Sequence, residues 1–348
     1  MKNKAFLKIF SIILLVFAFF IAIIIGAEKI SLHDFLAASN PRGALDSFKR
    51  IIILDLRLPR ALLVLLTGVL LGGSGAVFQL FFRNPLAEPG IMGISSGATL
   101  GAVLANVFIT YTGFQLGVQK IFSANLSEIS ILNLISPVNF AAFLGALGAG
   151  ALVTALAFSS AGKKSSVMLL LCGTALGTLY SSISSIVLLS SSKELHSVYT
   201  WILGSFNGRG WKELIFILIP SFVSILIMFI ISRPLDLLTC GEQTAQSLGV
   251  EVNKLRILVL ICGSLAVSSA VCAGGTISFV GLIAPHIVRK MIGSKSKVLI
   301  PYSMIFGAIL LLLSDTLARV VIAPSELPAG IITAILGVPF FLSLCLKK

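Results

Sequence analysis

RLPRALLVLLTGVLLGGSGAVFQLFFRNPLAEPGIMGISSGATLG, residues 57–101, is the stretch from which the fold of this chain can be read. Between Arg60 and Arg83, residues 61–82 carry no charged side chain. A helix needs about 20 apolar residues to cross about 30 Å of hydrocarbon, so this run is long enough for one crossing. Arginines pin both ends, and the proline-broken turn Asn84-Pro85-Leu86-Ala87-Glu88-Pro89-Gly90 follows directly. The segment reads as a membrane span with polar groups at both ends.

The rest of the chain agrees. Charged residues make up 11% of the 348, against about 25% in a soluble domain, and hydrophobic residues make up 57%. Mean hydropathy is +1.06. A water-soluble protein of this length could not cover its surface with so few charges. Runs without Asp, Glu, Lys or Arg occupy 9–27, 61–82, 89–119, 129–162, 165–192, 214–232, 257–288, 298–314 and 327–346. Most hold one helix each. The run 257–288 is too long for one ordinary helix, and Ala273-Gly274-Gly275-Thr276 interrupts it before Pro285. It reads as two segments, the second short or broken, which lipid tolerates where freed backbone groups face protein or water. The expectation is an all-α polytopic membrane protein of about ten spans, one transmembrane domain over 1–348.

Charge bias orients it. Lys2, Lys4 and Lys8 precede the first span, and ten crossings bring Lys347 and Lys348 back to the same side, so both termini are expected in the cytoplasm. Lys163, Lys164, Lys254, Arg256, Arg289, Lys290, Lys295 and Lys297 then also fall inside. Six basic residues, Lys29, Arg42, Lys49, Arg50, Arg57 and Arg60, sit outside between the first two spans, as if an acidic partner docks there. The first apolar run exceeds a signal-peptide core and has no clear cleavage site after Ile25, so it is expected to stay as a helix. The net charge of +13 is dispersed among loops rather than gathered in one stripe, which argues against nucleic-acid binding.

Cys172, Cys240, Cys262, Cys272 and Cys345 lie far apart, as do His33, His196 and His286, and no metal cluster is expected from them. Gly72 and Gly75 with Gly68, Gly97 with Gly101, and Gly145 with Gly148 recur at helical spacing. Such faces let helices approach closely or line a wide pathway, and the sequence alone leaves both open. Asn84, Pro85, Glu88, Pro89, Gly90, Pro285 and His286 are candidates for the same two roles.

Two enzyme readings arise. Gly93-Ile94-Ser95-Ser96-Gly97 fits the nucleophile-elbow pattern but lacks the strand that the elbow requires. Ser74 in Gly72-Gly73-Ser74-Gly75, with His286 on another span, would suit an intramembrane serine protease. An ion-coupled secondary transporter is a further alternative, although Asp315 is the main acidic candidate in its spans and Arg319, four residues on, can pair with it. The nearest approach to a phosphate loop, residues 157–165, lacks the first glycine and has Lys164 where Ser or Thr would bind magnesium. Energy from ATP would therefore require a partner that binds ATP and magnesium, with no cofactor in this chain.

Further blocks extend the pattern: LLLCGTALG (169–177), WILGSFNGRGW (201–211), RPLDLLTCGEQTAQSLGV (233–250), GGTISFVGLIAPHIVRK (274–290), LLLLSDTLAR (310–319) and ELPAGIITAILGVPFF (326–341). With 57–101 they resemble, in order and spacing, the FecCD-type permeases, membrane subunits of ATP-binding-cassette importers for iron-siderophores, haem and cobalamin. The resemblance covers nearly the whole chain. It implies the cobalamin-importer-like fold of type II importers, with ten helices per subunit and a second permease subunit, identical or related. It also implies two cytoplasmic ATPase subunits and an extracytoplasmic substrate-binding protein, in the plasma membrane of a prokaryote.

Residues 233–256 form a long polar insertion between apolar runs. Thr244, Ala245, Leu248 and Val252 could make a small apolar stripe beside Glu242, Gln243, Gln246 and Glu251, suited to a groove on another protein. The resemblance places ATPase coupling there, on Glu242, Thr244, Ala245, Leu248, Gly249 and Val250. It also matches Arg57, Arg60 and Arg319 to arginines that meet acidic residues of the binding protein. The 201–211 block resembles siderophore and haem permeases more than the cobalamin branch, which ranks ferric siderophore first, haem second and cobalamin third.

Overall fold

In the computed structural model, residues 2–26, 28, 30–38, 47–112, 136–159, 166–189, 199 and 201–346 are described. Lys29, Arg42, Lys163, Lys164, Lys347 and Lys348, with most of the 157–165 segment, lie outside them, and nothing is said of the Cys345 side chain.

Among the described residues the regular structure is all helical, with no strand. Helix α1 spans Lys2–Ile24, and the short α2 (Leu32–Ala38) and α3 (Ser47–Ile51) follow. A π-helical turn, Ile52–Arg57, joins α3 without a break to α4, Leu58–Phe81. The whole run Ser47–Phe81 is 35 residues long, roughly 50 Å at 1.5 Å per residue, so its first turns must project beyond the hydrocarbon. A 3₁₀ turn, Pro89–Met92, precedes α5 (Ile94–Thr112), and α6 (Pro137–Ser159), α7 (Ser166–Leu189) and α8 (Trp211–Ile230) follow. The polar insertion folds as two short helices, α9 (Ser232–Thr239) and α10 (Glu242–Ser247). Last come α11 (Val252–Gly274), α12 (Val280–Met291), α13 (Ser296–Val320) and α14 (Ala329–Leu346).

Each charge-free run of the sequence holds its helix, and the run 257–288 divides as expected into α11 and the 12-residue α12. Among the described residues seven helices are long and apolar enough to cross a membrane, and α5 and α14 hold shorter apolar stretches. We call the end that carries Lys8, Arg83 and Asp236 the inner end and the one that carries Arg60 and Glu326 the outer.

Helix α4 is central, in contact with α1, α8, α11, α12 and α13, while α5, α6 and α7 form a second layer joined through α11. Of the apolar window in α4 and in α11, 78% is buried, against 17% in α7 and 22% in α1, which separates core helices from peripheral ones. The central position follows from the glycine face. A Cβ on Gly72 would run into the Ser303 carbonyl of α13, and one on Gly75 into the Gly281 carbonyl of α12. Helix backbones touch at these points, so Gly72 and Gly75 are packing positions rather than pathway lining. Gly97 and Gly145 bring α5 and α6 together in the same way.

Candidate functional site

Three places carry chemistry. The first is the outer end, where Arg60 lies between α4 and α13. Its Nη2 and Nε donate to the two oxygens of Asp315 at 2.8 and 3.2 Å, and its Nη1 donates to Glu326 at 2.8 Å. Arg319 forms an ion pair with Asp315 at 3.3 Å and donates to the Ala22 carbonyl of α1 at 2.7 Å. Arg57 donates to the carbonyls of Ile23 and Ile24 at 2.9 and 2.8 Å and to that of Glu28 at 2.5 Å. The Ile23 and Ile24 carbonyls close α1, whose last turn has no helical donors for them, and a guanidinium supplies donors and opposes the helix dipole. Gly26 makes the room, since a Cβ there would lie 2.6 Å from Arg57 Nη2.

Arg57 is 8% and Arg319 6% exposed, and all three guanidiniums are bonded within the chain, stapling α1, α4 and α13 together. Lys49 is likewise paired, at 3.2 Å, with Asp34, whose carboxyl also accepts the Ser31 N–H. That N–H bond, then the Ser31 hydroxyl and Lys49, holds the Asp34 carboxyl below the usual carboxylate range. Of the outer basic group, Lys49 and Arg60 are thus paired with carboxylates of the chain itself.

The second place is the inner insertion. Helix α10 ends in a Schellman turn: Gly249 N–H reaches the Gln246 carbonyl at 2.9 Å, and Val250 N–H reaches that of Ala245 at 2.9 Å. Gly249 takes φ +84°, which explains a glycine at this position. Ala245 and Val252 are buried, at 0% and 5% exposure, whereas Leu248 is 60% exposed. The expected four-residue stripe is thus divided. Ala245 and Val252 anchor the insertion to its own core, and Leu248 stands outward beside the exposed Thr244 and Gly249. Glu242 pairs at 3.5 Å with the buried Arg256 of α11, which ties α10 to a core helix. Val250 is half-buried.

The third place is the interior. Asn84 and Pro85 are exposed at the inner end, and the Asn84 Oδ1 accepts the Leu86 N–H at 3.0 Å. From there the chain re-enters. Glu88 accepts the Phe279 N–H at 2.6 Å, just ahead of α12, and Pro89 is buried against Gly281. Gly90 is exposed, and Pro285 is buried within α12. One feature was not read from sequence. Thr174, Thr178, Ser181, Ser182 and Ser185 are all exposed along one face of α7, which also carries Leu171 and is flanked by Leu179 and Ile186. The spacing of hydroxyls at 174, 178, 181 and 185 was the available signal, because these positions share one helical face.

A profile of the FecCD transport family matches residues 14–347. The chain belongs to the FecCD transport family. It is 35% identical to the Fe(3+)-citrate import system permease protein YfmD of Bacillus subtilis (strain 168), over 99% of this chain and 96% of the relative. It is 37% identical to the cobalamin import system permease protein BtuC of Halobacterium salinarum, over 85% of this chain and 73% of the relative. A solved structure, the inward-facing conformation of a transporter assigned to the metal-chelate type of ABC systems, superposes with a TM-score of 0.79 at 32% identity, covering 97% of this chain and 98% of the other.

In this FecCD chain the alternative readings lose their geometry. Ser74 is fully buried, and its hydroxyl donates to the Leu70 carbonyl of its own helix at 2.7 Å. The His286 ring packs edge-on against Phe340 at 5.5 Å, and neither of its nitrogens has a hydrogen-bond partner. The two residues make no Ser-His hydrogen bond. Asp315 belongs to the outer arginine staple, at a helix end rather than at mid-depth, which removes the main candidate for ion coupling.

Proposed function

We propose that this FecCD chain is the membrane permease of an ATP-driven importer for a ferric chelate, with ferric siderophore first, haem second and cobalamin third. An outer binding protein delivers the substrate, a second permease subunit completes the pathway, and two cytoplasmic ATPases drive it. The observation that carries the reading is the inner insertion: a rigid turn, locked to the core through Ala245, Val252 and the Glu242–Arg256 pair, presents Leu248 to a partner. A membrane chain without a phosphate loop needs such a contact to use ATP. Relatives named for ferric citrate and for cobalamin support the substrate range, and the 201–211 block favours the iron branch. Both termini are assigned to the cytoplasm on charge bias. The outer arginines enter this reading as the staple beneath the docking face.

The exposed hydroxyl face of α7 is assigned to the pathway, because hydroxyls that donate to carbonyls of their own helix keep acceptor lone pairs that a hydrated chelate can engage and lipid cannot. Replacing Thr178, Ser181 and Ser185 together by alanine is expected to lower iron-chelate uptake at least about tenfold, roughly 1.4 kcal/mol of lost hydrogen bonding in transit. Detergent stability should change little, since Thr178 and Ser185 donate within their own helix and Ser181 makes only a long bond, 3.4 Å, to Ser96 of α5. Unchanged uptake in cells that lack other iron importers would remove α7 from the pathway.

A further inference from the structure

At the inner end the C-terminus of α4, helix α9, the last turn of α12 and the turn into α13 enclose a cleft of about 670 Å³. Arg83, Arg289 and Lys295 converge on it, above walls that include Leu80 and Pro85. Its one lining carboxylate, Asp236, is committed elsewhere, accepting the Ser296 N–H at 2.8 Å and the Ser296 hydroxyl at 2.7 Å at the start of α13. Among the described residues no acidic side chain pairs with the three cations.

Arg83 adds a second, independent observation. The α4 terminus is a Schellman turn, with Arg83 N–H on the Leu80 carbonyl at 3.2 Å and Asn84 N–H on that of Gln79 at 3.2 Å. Arg83 occupies the left-handed position of this turn, with φ +53°, where glycine is the favoured residue. An arginine held in that conformation keeps its guanidinium over the cleft, and uncommon backbone states of this kind collect at binding sites. Cations at the ends of membrane helices, above apolar walls, match the chemistry of an anionic amphiphile, as in basic pockets that hold lipid headgroups on the cytoplasmic side.

We propose that this cleft binds a phosphate group at the cytoplasmic membrane surface, supplied by the headgroup of an anionic phospholipid. The headgroup phosphate sits among Arg83, Arg289 and Lys295, and the first acyl carbons lie against Leu80 and Pro85. The test titrates fluorescent phosphatidylglycerol into the detergent-purified permease–ATPase complex, wild type and Arg289→Gln/Lys295→Gln. Each removed cation should weaken binding about fivefold, and the pair roughly thirtyfold. Unlabelled phosphatidylglycerol should displace the probe and phosphatidylcholine should not. Displacement by millimolar inorganic phosphate alone would support the anion site and identify free phosphate as its source. Equal binding by wild type and double variant would overturn the proposal. So would loss of ATPase co-purification in the double variant with lipid binding unchanged, which would make the cleft a protein-docking site. Arg83→Gly is the control for folding: it relieves the left-handed backbone, so it should fold at least as well as wild type while binding about fivefold less lipid.

Discussion

Arg60→Glu is expected to abolish accumulation of folded permease. In the wild type, Arg60 bridges Asp315 of α13 and Glu326 at 2.8 Å each, and Asp315 is 2% exposed. Reversal would place a third carboxylate among these two, with Arg319 alone to oppose them. Removing one member of a buried pair costs about 3–5 kcal/mol, comparable with the whole stability of many domains. Arg60→Ala should show the milder form, a lower thermal midpoint in detergent with residual uptake. The measurement is fluorescence-detected size exclusion of both variants after a heat step, beside uptake. A monodisperse Arg60→Glu protein with wild-type stability and a selective loss of binding-protein affinity would show that the guanidinium faces a partner after all. The same logic extends to Arg57, whose substitution frees two carbonyls at the end of α1 and that of Glu28 beyond it.

Leu248→Asp should act in the opposite manner, leaving the fold intact and abolishing transport. Leu248 is 60% exposed at a turn whose geometry is set by Gly249 and Ala245, so the substitution disturbs little inside the chain. In a partner's apolar groove, however, an unpaired carboxylate costs several kcal/mol, enough to weaken docking more than a hundredfold. ATPase co-purification and chelate uptake should both fall to background, while insertion and thermal stability match wild type. Ala245→Asp is the contrast. That residue is fully buried, and the variant should lose stability itself. Retained co-purification and uptake in Leu248→Asp would remove the α9–α10 insertion from the coupling contact.

The helices were legible because lipid imposes a strong rule, namely long runs without charge, and even the division of 257–288 followed from its glycine pair. Directions of side chains were less legible. Arg319 and Asp315 are four residues apart, so their pairing could be read, but Arg60 meets Asp315 across 255 positions and its inward turn could not. The small helix α10 has six residues, too few for a periodic pattern to tell Ala245, which faces in, from Leu248, which faces out. The contact of Glu88 with Phe279 and the left-handed Arg83 depend on tertiary packing and on backbone conformation, and neither leaves a local signature. Gly72 and Gly75 were visible as a face, and the neighbouring carbonyls decided that the face packs helices.

This chain is expected to pass a ferric chelate inward only when a partner ATPase drives it. The direct measurement is accumulation of radiolabelled iron chelate in proteoliposomes that hold the permease–ATPase complex, with binding protein outside, and with or without ATP on the ATPase side. The expected result is accumulation that requires ATP, the binding protein and the ATPase together, and no ATP hydrolysis by the permease alone. Accumulation driven by an ion gradient without ATP, or catalytic hydrolysis by the isolated chain, would contradict it.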